Sequence, residues 1–260
     1  AHVRLNTSGV PLSWMVPNAI PIVLNRDGSD NLPDKSHFTA LRNALDAWND
    51  ATGSVAKFVE DTTPAQQNRT DWAETDIQLV LFDENNSSGF FPFGSGTVAV
   101  TPVLFNSVSG KILDADVLFN GSDFDFTTSG QVGRFDVQNV ATHELGHFLG
   151  LDHTGSAGAT MYPFVSPGLV LQRSLGLDDR GGVRDAYPST VHAVVTGTVK
   201  RSGGAVVKGA FVVARDAAGY TAASALSDDS GAFALAGLDA GDYTVYATPL
   251  DFPVSAANLQ

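Results

Sequence analysis

Hydrophobic positions recur along this chain with two different periods, which divide it into two parts near residue 188. In the first part, apolar residues at three- and four-residue spacings predict a helix from Asp34 or Ser36 to about Ala51. A second helix is predicted, capped by Asp136 and ended by Gly150. Short apolar or alternating runs predict four strands, at residues 20–24, 76–82, 97–103 and 112–119. The first part is therefore predicted to be an α+β domain.

Each predicted helix has an apolar face that favours burial. These faces are formed by Phe38, Leu41, Leu45 and Trp48 in the first helix and by Val137, Val140 and Phe148 in the second. His37 is expected to have a surface or capping role. The loop at residues 85–96 carries three phenylalanines, at 90, 91 and 93. If these rings are exposed, they favour an apolar substrate. If they are buried, they anchor the loop.

The second part alternates short apolar runs with Gly and Asp turns. This pattern predicts five antiparallel strands, at residues 194–200, 209–215, 220–227, 232–236 and 242–247. Their spacing is typical of a small all-β sandwich, which we place at residues 190–260. Because the chain stops soon after the fifth strand, the sequence leaves open whether this domain is truncated and the native protein continues beyond Gln260.

The composition restricts the partners of this protein. Its 15 Lys and Arg against 28 Asp and Glu give a formal net charge of −13. This balance argues against nucleic acid or an anionic membrane surface as a partner, because both attract basic patches. No apolar run approaches the roughly 20 residues that span a bilayer. The chain has no cysteine and hence no disulfide, and we expect a monomer.

The most informative segment begins at His143 and reads H-E-x-x-H-x-x-G-x-x-H. On a helix, His143 and His147 lie one turn apart on one face, so both imidazoles can reach the same ion. Gly150 can adopt a positive φ and turn the chain, which brings His153 from a loop as a third ligand. Three protein ligands leave one tetrahedral position open, as in catalytic zinc sites. Glu144 lies beside the ion, within reach of a water molecule there.

A second segment supports this interpretation, although an H-E-x-x-H pentapeptide alone also occurs by chance. The residues G-A-T-M-Y-P at 158–163 resemble the Met-turn of metzincin proteases. Thr154, directly after the third histidine, is typical of the matrixin branch. The residues S-L-G-L-D-D-R-G-G-V-R-D-A-Y at 174–187 are similar to the final matrixin helix. Residues 17–188 therefore resemble a matrixin of bacterial type, from the metzincin branch that contains the matrix metalloproteinases.

The resemblance implies a metzincin fold, with a twisted mixed sheet and long helices, and one catalytic zinc ion. It implies that His143, His147 and His153 hold this zinc and that Glu144 acts as general base and then general acid. Met161 is implied to support the site from below without binding the metal.

The same resemblance implies how a protein or peptide substrate is bound. Residues 97–103 resemble the edge strand to which a substrate adds by main-chain pairing. Pro163, Phe164 and Val165 are implied to form a wall of the primary specificity pocket. The cysteine that many matrixins use for latency is absent. Residues 1–16 are a short pro-segment, an N-terminal arm packed on the domain or a linker, and the sequence does not decide among these.

The chain departs from the matrix metalloproteinases after residue 119, where those enzymes carry histidines for a second, structural zinc. The other histidines, His2, His37 and His192, do not cluster along the chain, so we predict no second zinc. Carboxylate and amide oxygens in this region are candidate calcium ligands, with an ordinary hydrated turn as the alternative. These candidates are Asp114, Asp116, Asn120, Asp123 and Asp125.

Short segments of the second part resemble a carboxypeptidase regulatory-like, transthyretin-type module. They are G-T-V at 197–199, D-D-S-G-A-F at 228–233 and L-D-A-G-D-Y-T-V at 238–245. Such modules are found appended to secreted enzymes, and nothing in this one supplies a catalytic set.

Together these observations predict a zinc endopeptidase that is secreted or held at the cell surface, with Ala1 as a mature N terminus after signal removal. One alternative is an inactive protease-like adhesion protein in which the sandwich performs the recognition. Its weakness is the intact Glu144, since a degenerate enzyme most often loses its acid/base residue first. A second alternative is zinc hydrolysis of a non-peptide bond.

Overall fold

Four parallel strands and an antiparallel edge strand form the main sheet of the first domain in a computed structural model that describes residues 4–259. His2 and Gln260 therefore lie outside the described residues. The strands are β1 (Asn6–Thr7), β2 (Val10–Pro11), β3 (Ile20–Leu24), β4 (Phe58–Glu60), β5 (Leu79–Phe82), β6 (Ala99–Val100), β7 (Val103–Phe105), β8 (Ile112–Ala115), β9 (Val117–Phe119), β10 (Phe126–Thr127) and β11 (Phe135–Asp136). The helices are α1 (His37–Asn49), α2 (Pro64–Gln67), α3 (Val137–Phe148) and α4 (Leu177–Ala186). The order of the main sheet is β4-β3-β5-β9-β6, which places β6 at an edge.

The predicted α+β architecture is confirmed, and two predicted strands are interrupted for local reasons. The edge strand predicted at 97–103 divides into β6 and β7 around Pro102, which has no N–H for a ladder. The strand predicted at 112–119 divides at Asp116, where β8 pairs with β7 while β9 joins the main sheet. The strand β4, the helix α2 and the hairpin β1–β2 are not in the sequence prediction.

Helices α1 and α3 pack against each other in the core of this domain. Trp48 is 1% exposed, and its indole N–H donates to the Thr142 carbonyl oxygen at 2.8 Å. Leu41 and Leu45 are also buried, whereas Phe38 is only partly buried. Each fully buried side chain of this size contributes about 1.5–3 kcal/mol. The packing therefore holds α3, the helix that carries two of the predicted zinc ligands.

The expectation for His37 was wrong, because its side chain is fully buried. Its ring lies against those of Phe38 and Phe82, at centroid distances of 4.4 and 6.0 Å. Neither ring nitrogen has a hydrogen-bond partner, and burial lowers the pKa of His37 to about 4. Gly28 makes this possible, because a side chain at that position would overlap the imidazole.

The phenylalanines of the loop at residues 85–96 differ in burial. Phe91 is 1% exposed and lies in a small cluster on the sheet, with Leu79 and Leu118. Phe93 is 97% exposed. One ring therefore anchors the loop while another faces solvent.

Residues 4–14 lie along the C-terminal end of α3. The Arg4 guanidinium donates to the carbonyl oxygens of Leu12 and Gly150, at 2.6 and 3.3 Å. The Trp14 indole N–H donates to the Phe148 carbonyl oxygen at 2.8 Å, and the two rings stack. Trp14 thereby satisfies the carbonyl group of the last residue of α3, which has no partner within the helix.

The second domain contains all five predicted strands, with small shifts at their ends. They are β12 (Ala193–Thr198), β13 (Phe211–Arg215), β14 (Thr221–Leu226), β15 (Ala232–Leu238) and β16 (Thr244–Thr248). Strands β12 and β15 form one sheet, and β14-β13-β16 form the other, all antiparallel. Apolar side chains of both sheets form a separate core. None of the helices in residues 4–259 has the length and apolar character that crossing a bilayer requires.

The break between β8 and β9 buries a pair of carboxyl groups and leads to a pH prediction. Asp116 is 2% exposed, and its Oδ1 accepts from the Leu79 amide at 2.7 Å. Burial and, to a smaller extent, the neighbouring Asp114 raise the pKa of Asp116 to about 8. Because an unfolded Asp titrates near 3.9, the folded state holds more protons between these two values. The free energy of unfolding should therefore fall as the pH rises from about 4 through about 8, by on the order of a few kcal/mol.

We expect Asp116→Asn to remove most of this pH dependence and to be more stable than the wild type at pH 9. Urea unfolding of metal-free protein at pH 5 and pH 9 measures the effect, with the exposed Asp242→Asn as control. An unchanged pH slope in Asp116→Asn would contradict the prediction. Bound calcium favours ionised carboxylates, so repeating the pH 9 measurement with Ca²⁺ also tests the predicted calcium ligands.

Candidate active site

Helix α3 begins and ends as the sequence predicts. The Asp136 side chain accepts from the Asn139 amide at 3.0 Å, which caps the N terminus. The Asp136 carboxylate also pairs with Arg173. At the other end, Gly150 has a φ of +83°. Its amide donates to the His147 carbonyl oxygen at 2.8 Å, and the Leu151 amide donates to that of Gly146 at 2.9 Å. This pair of bonds is a Schellman motif, and it directs the chain back toward the helix face.

The turn brings the three predicted ligands together. The ring centroids of His143, His147 and His153 lie 4.6–5.2 Å apart. Among the described residues, they form the only group of three or more His, Cys, Asp or Glu side chains whose ligand atoms all lie within 4.8 Å of one another. The three predicted ligands are therefore placed as a metal-binding set.

The protonation of these rings suits a cation. Each Nδ1 faces a backbone carbonyl oxygen: His143 faces Thr160 at 2.7 Å, His147 faces Leu151 at 2.9 Å, and His153 faces a carbonyl of the second domain. A carbonyl oxygen only accepts, so each Nδ1 carries the proton and each Nε2 presents a lone pair.

The Nε2 atoms of His147 and His153 are 3.1 Å apart, and two lone pairs cannot form a hydrogen bond with each other. Two nitrogens each about 2.0–2.1 Å from a tetrahedral zinc lie roughly 3.3 Å apart. The residues therefore fit a zinc ion.

Burial keeps the imidazoles in their neutral, metal-binding form. Burial and, to a smaller extent, the neighbouring His153 lower the pKa of His143 to about 3. Burial and the two other rings also hold the pKa of His147 well below its usual value. Neutral imidazoles need not lose a proton before they bind an ion.

Glu144 follows His143 in α3 and is held by a residue that the motif does not contain. Glu144 is 7% exposed, and burial raises its pKa to about 7. The Thr101 hydroxyl donates to Glu144 Oε2 at 2.6 Å, which opposes that rise. Thr101 lies just before Pro102, in the break between β6 and β7, so the edge strand and the carboxylate meet directly.

The predicted Met-turn lies under the histidines. Met161 is fully buried, and its sulfur lies where a side chain at position 146 would be, so Gly146 allows the close approach. The carboxylate of Asp179 accepts from the amides of Thr160, Met161 and Gly176, at 2.7–3.0 Å. Burial and, to a smaller extent, the neighbouring Asp178 raise the pKa of Asp179 to about 6. Asp179 thereby fixes the turn whose Thr160 carbonyl orients His143.

The remaining predicted site residues occupy different surroundings. Pro163 and Val165 are partly buried, and Phe164 is 43% exposed, with its ring edge toward Tyr162. Their role in substrate recognition stays a prediction.

The five candidate calcium ligands are divided among three surroundings. Asp114 accepts from Gln78 and, with Asp116, is buried beside β5. Asn120 organises its own turn by accepting from the Asp123 amide, and Asp125 pairs with Arg134. The calcium site also stays a prediction.

Comparison with known proteins decides the family. The matrixin family model matches residues 14–188 of the 260. The chain belongs to the matrixin family. In this matrixin, the carboxypeptidase regulatory-like domain model matches residues 194–258, within the predicted sandwich.

Relatives of this matrixin come from bacteria, plants and animals. Karilysin of Tannerella forsythia is 28% identical over 182 residues, which cover 67% of this chain and 35% of karilysin. Metalloendoproteinase 1 of Glycine max is 32% identical over 139 residues, covering 52% of this chain and 44% of the relative. Stromelysin-1 of Mus musculus is 32% identical over 159 residues, which cover 60% of this chain and 29% of stromelysin-1. The chain thus spans less than half the length of each of these relatives.

Proposed function

We propose that this chain is a secreted zinc-dependent endopeptidase that hydrolyses peptide bonds in protein substrates. The observation that carries the proposal is the convergence of three partly buried, neutral imidazoles, with the buried Glu144 next to His143 in α3. When bound, Zn²⁺ supplies the Lewis acidity that polarises the scissile carbonyl and lowers the pKa of a water molecule toward about 7. The adhesion alternative is not favoured, because the chain keeps Glu144 and a histidine triad that could hold a metal ion.

Glu144 moves the proton. Its carboxylate accepts a proton from the attacking water and then donates it to the nitrogen of the leaving amine. Because Thr101 engages Oε2, we assign the transfer to Oε1. A buried carboxyl group with a pKa near neutrality is suited to both steps, since neither protonation state is costly.

Substrate binding is assigned to the edge strand β6. Its position at the edge of the sheet leaves one side available for an extended peptide, which would add by main-chain pairing. The peptide would then pass Thr101 and the histidines. We assign the wall of the primary specificity pocket to Pro163, Phe164 and Val165, which favour an apolar side chain after the cleaved bond.

The remaining assignments follow from composition and family resemblance. We propose export to the cell surface or the medium, a monomeric state and no nucleic-acid partner, the last because of the net charge of −13. Calcium bound by some of the candidate ligands Asp114, Asp116, Asn120, Asp123 and Asp125 is part of the same proposal.

Metal removal tests the proposal. We expect the purified protein to contain one zinc per chain, a chelator to abolish casein cleavage, and added Zn²⁺ to restore it. His147→Ala should lose the zinc, while His192→Ala, outside the triad, should keep it. Elemental analysis and casein digestion measure both effects. Full activity in zinc-free protein would rule out the proposed function.

The Thr101 hydroxyl leads to a further prediction. We expect Thr101→Val to lower kcat by about 10-fold with little change in KM, because a charge-assisted hydrogen bond contributes about 1.5–3 kcal/mol to holding the carboxylate. Thr101→Ser keeps the hydroxyl and should retain most of the activity. Steady-state cleavage of a fluorogenic peptide separates kcat from KM. Equal loss in both variants would show that the hydroxyl has no part in the reaction.

A further inference from the structure

The third zinc ligand takes its orienting hydrogen bond from the other domain. His143 and His147 donate from Nδ1 to carbonyl oxygens 17 and 4 residues away. His153 Nδ1 instead lies 2.8 Å from the carbonyl oxygen of Asn258, which is 105 residues away near the end of the chain. Partners of this kind set the tautomer and angle of a metal-binding histidine.

Asn258 is itself held in place. It ends a short 3₁₀ helix (Ala256–Asn258), and its side-chain oxygen accepts from the amide and hydroxyl of Ser255, at 2.9 and 3.0 Å. The next residue, Leu259, is 2% exposed. The tail is therefore anchored on both sides of the carbonyl that faces His153.

A second contact joins the domains one residue after His153. The hydroxyls of Thr154 and Ser224 lie 2.9 Å apart, and Ser224 lies 3.0 Å from the Asp178 carboxylate. Since the carboxylate accepts, Ser224 donates to Asp178 and Thr154 donates to Ser224. All three residues are at most 2% exposed, so these two hydrogen bonds are shielded from water.

Glycines allow the close approach of the two domains. A side chain at Gly155 would come within 2.8 Å of Leu250 and 3.1 Å of Phe211, both from the second domain. A side chain at Gly237, in β15, would overlap the carbonyl oxygen of Gly181, in α4. The loop that carries His153 is therefore packed directly on the sandwich.

We propose that the C-terminal domain is a positioning element of the zinc site, in which the Asn258 carbonyl orients His153 and Ser224 fixes the following residue. The inference rests on the proposed function, because it takes His153 to be a zinc ligand. It implies that undocking of the tail weakens zinc binding. By reciprocity, zinc stabilises the docked tail by the same factor.

Zinc affinity of tail variants tests this role. Leu259→Ser removes the buried anchor beside Asn258, and a chain ending at Ser255 removes the carbonyl itself. We expect both to raise the zinc Kd by about 10–100-fold, measured by competition with a chromogenic chelator. Ala257→Ser, an exposed position in the same tail, should change the Kd by less than about 2-fold. The visible spectrum of the Co²⁺-substituted protein should change only in the first two variants.

Ser224→Ala tests the second contact with the same measurement. We expect a smaller rise in the zinc Kd, since the tail carbonyl remains, and no rise in the exposed control Ser202→Ala. Hydrogen exchange of the wild-type chain needs no variant. Protection of residues 254–259 should increase when zinc is added.

The outcomes separate this inference from the function on which it rests. Wild-type zinc affinity in both tail variants, or hydrogen exchange at 254–259 that is insensitive to zinc, would overturn the inference even if the enzyme cleaves peptides. A lower melting temperature of the metal-free tail variants with unchanged Kd would show a structural role only, and would also overturn it. Zinc binding that depends on the tail without any peptide cleavage would overturn only the endopeptidase assignment. A wild-type chain that binds no zinc would overturn both.

Discussion

Replacement of Glu144 by Gln is expected to lower kcat for peptide cleavage by about 10²–10⁴-fold while zinc content stays at one per chain. The substitution is nearly isosteric, and the new side-chain oxygen can still accept from Thr101. What is lost is the ability to take a proton from water and return it to the leaving amine. Because Glu144 is not a predicted ligand, the metal should remain, and KM should change little.

The measurement is steady-state cleavage of casein and of a fluorogenic peptide, together with elemental analysis of the same samples. Glu74→Gln is a suitable control, since it makes the same change at an exposed position on the first domain. If Glu144→Gln lost its zinc, the fall in kcat would reflect loss of the metal and not loss of proton transfer. A variant that cleaves at the wild-type rate would rule out Glu144 as the base.

Replacement of Gly150 by Ala is expected to weaken zinc binding and to destabilise the first domain by about 3 kcal/mol or more, the sum of backbone strain and steric overlap. Two effects combine. An alanine at a φ of +83° costs about 1–2 kcal/mol. Its Cβ would also lie 2.6 Å from the Leu12 carbonyl oxygen, a backbone atom that cannot move without displacing the N-terminal arm. Since this turn places His153, the zinc Kd should rise as well.

Gly133→Ala separates the two effects. Gly133 has nearly the same φ, +82°, but nothing lies near its added Cβ. We expect it to lose only about 1–2 kcal/mol, with an unchanged zinc Kd. Urea unfolding and chelator competition measure both quantities. Equal destabilisation in the two variants would mean that the contact with Leu12 is relaxed at no cost.

The local geometry of the zinc helix could be predicted because it depends on neighbours in the sequence. The cap at Asp136 and the positive φ at Gly150 are set within one helical turn. The edge strand was predicted in position but not in length, because its break at Pro102 accompanies the pairing of β7 with β8. The burial of His37 could not be predicted, since it needs the space opposite Gly28.

The residues that orient the site were missed for a related reason. Thr101 and Asn258 lie 43 and 105 residues from the side chains that they hold. Asp179 lies 19 residues from Thr160, in the turn that it fixes. Asp179 carried a signal, as one of the paired aspartates of the final helix. Thr101 and Asn258 carried none, because a hydroxyl or a backbone carbonyl has no recognisable pattern in one sequence.

By itself, the sequence predicted the histidine triad as ligand set and Glu144 as base, and it determined the turn that brings the third histidine back and the presence of a separate sandwich. These features depend on residue type and short-range spacing. The helix period, the N-terminal cap and the glycine with a positive φ are all set by neighbours in the sequence. Only the tertiary structure decided which groups orient those residues and how the sandwich docks. Such contacts depend on where distant segments meet, and that is settled by the packing of the whole chain.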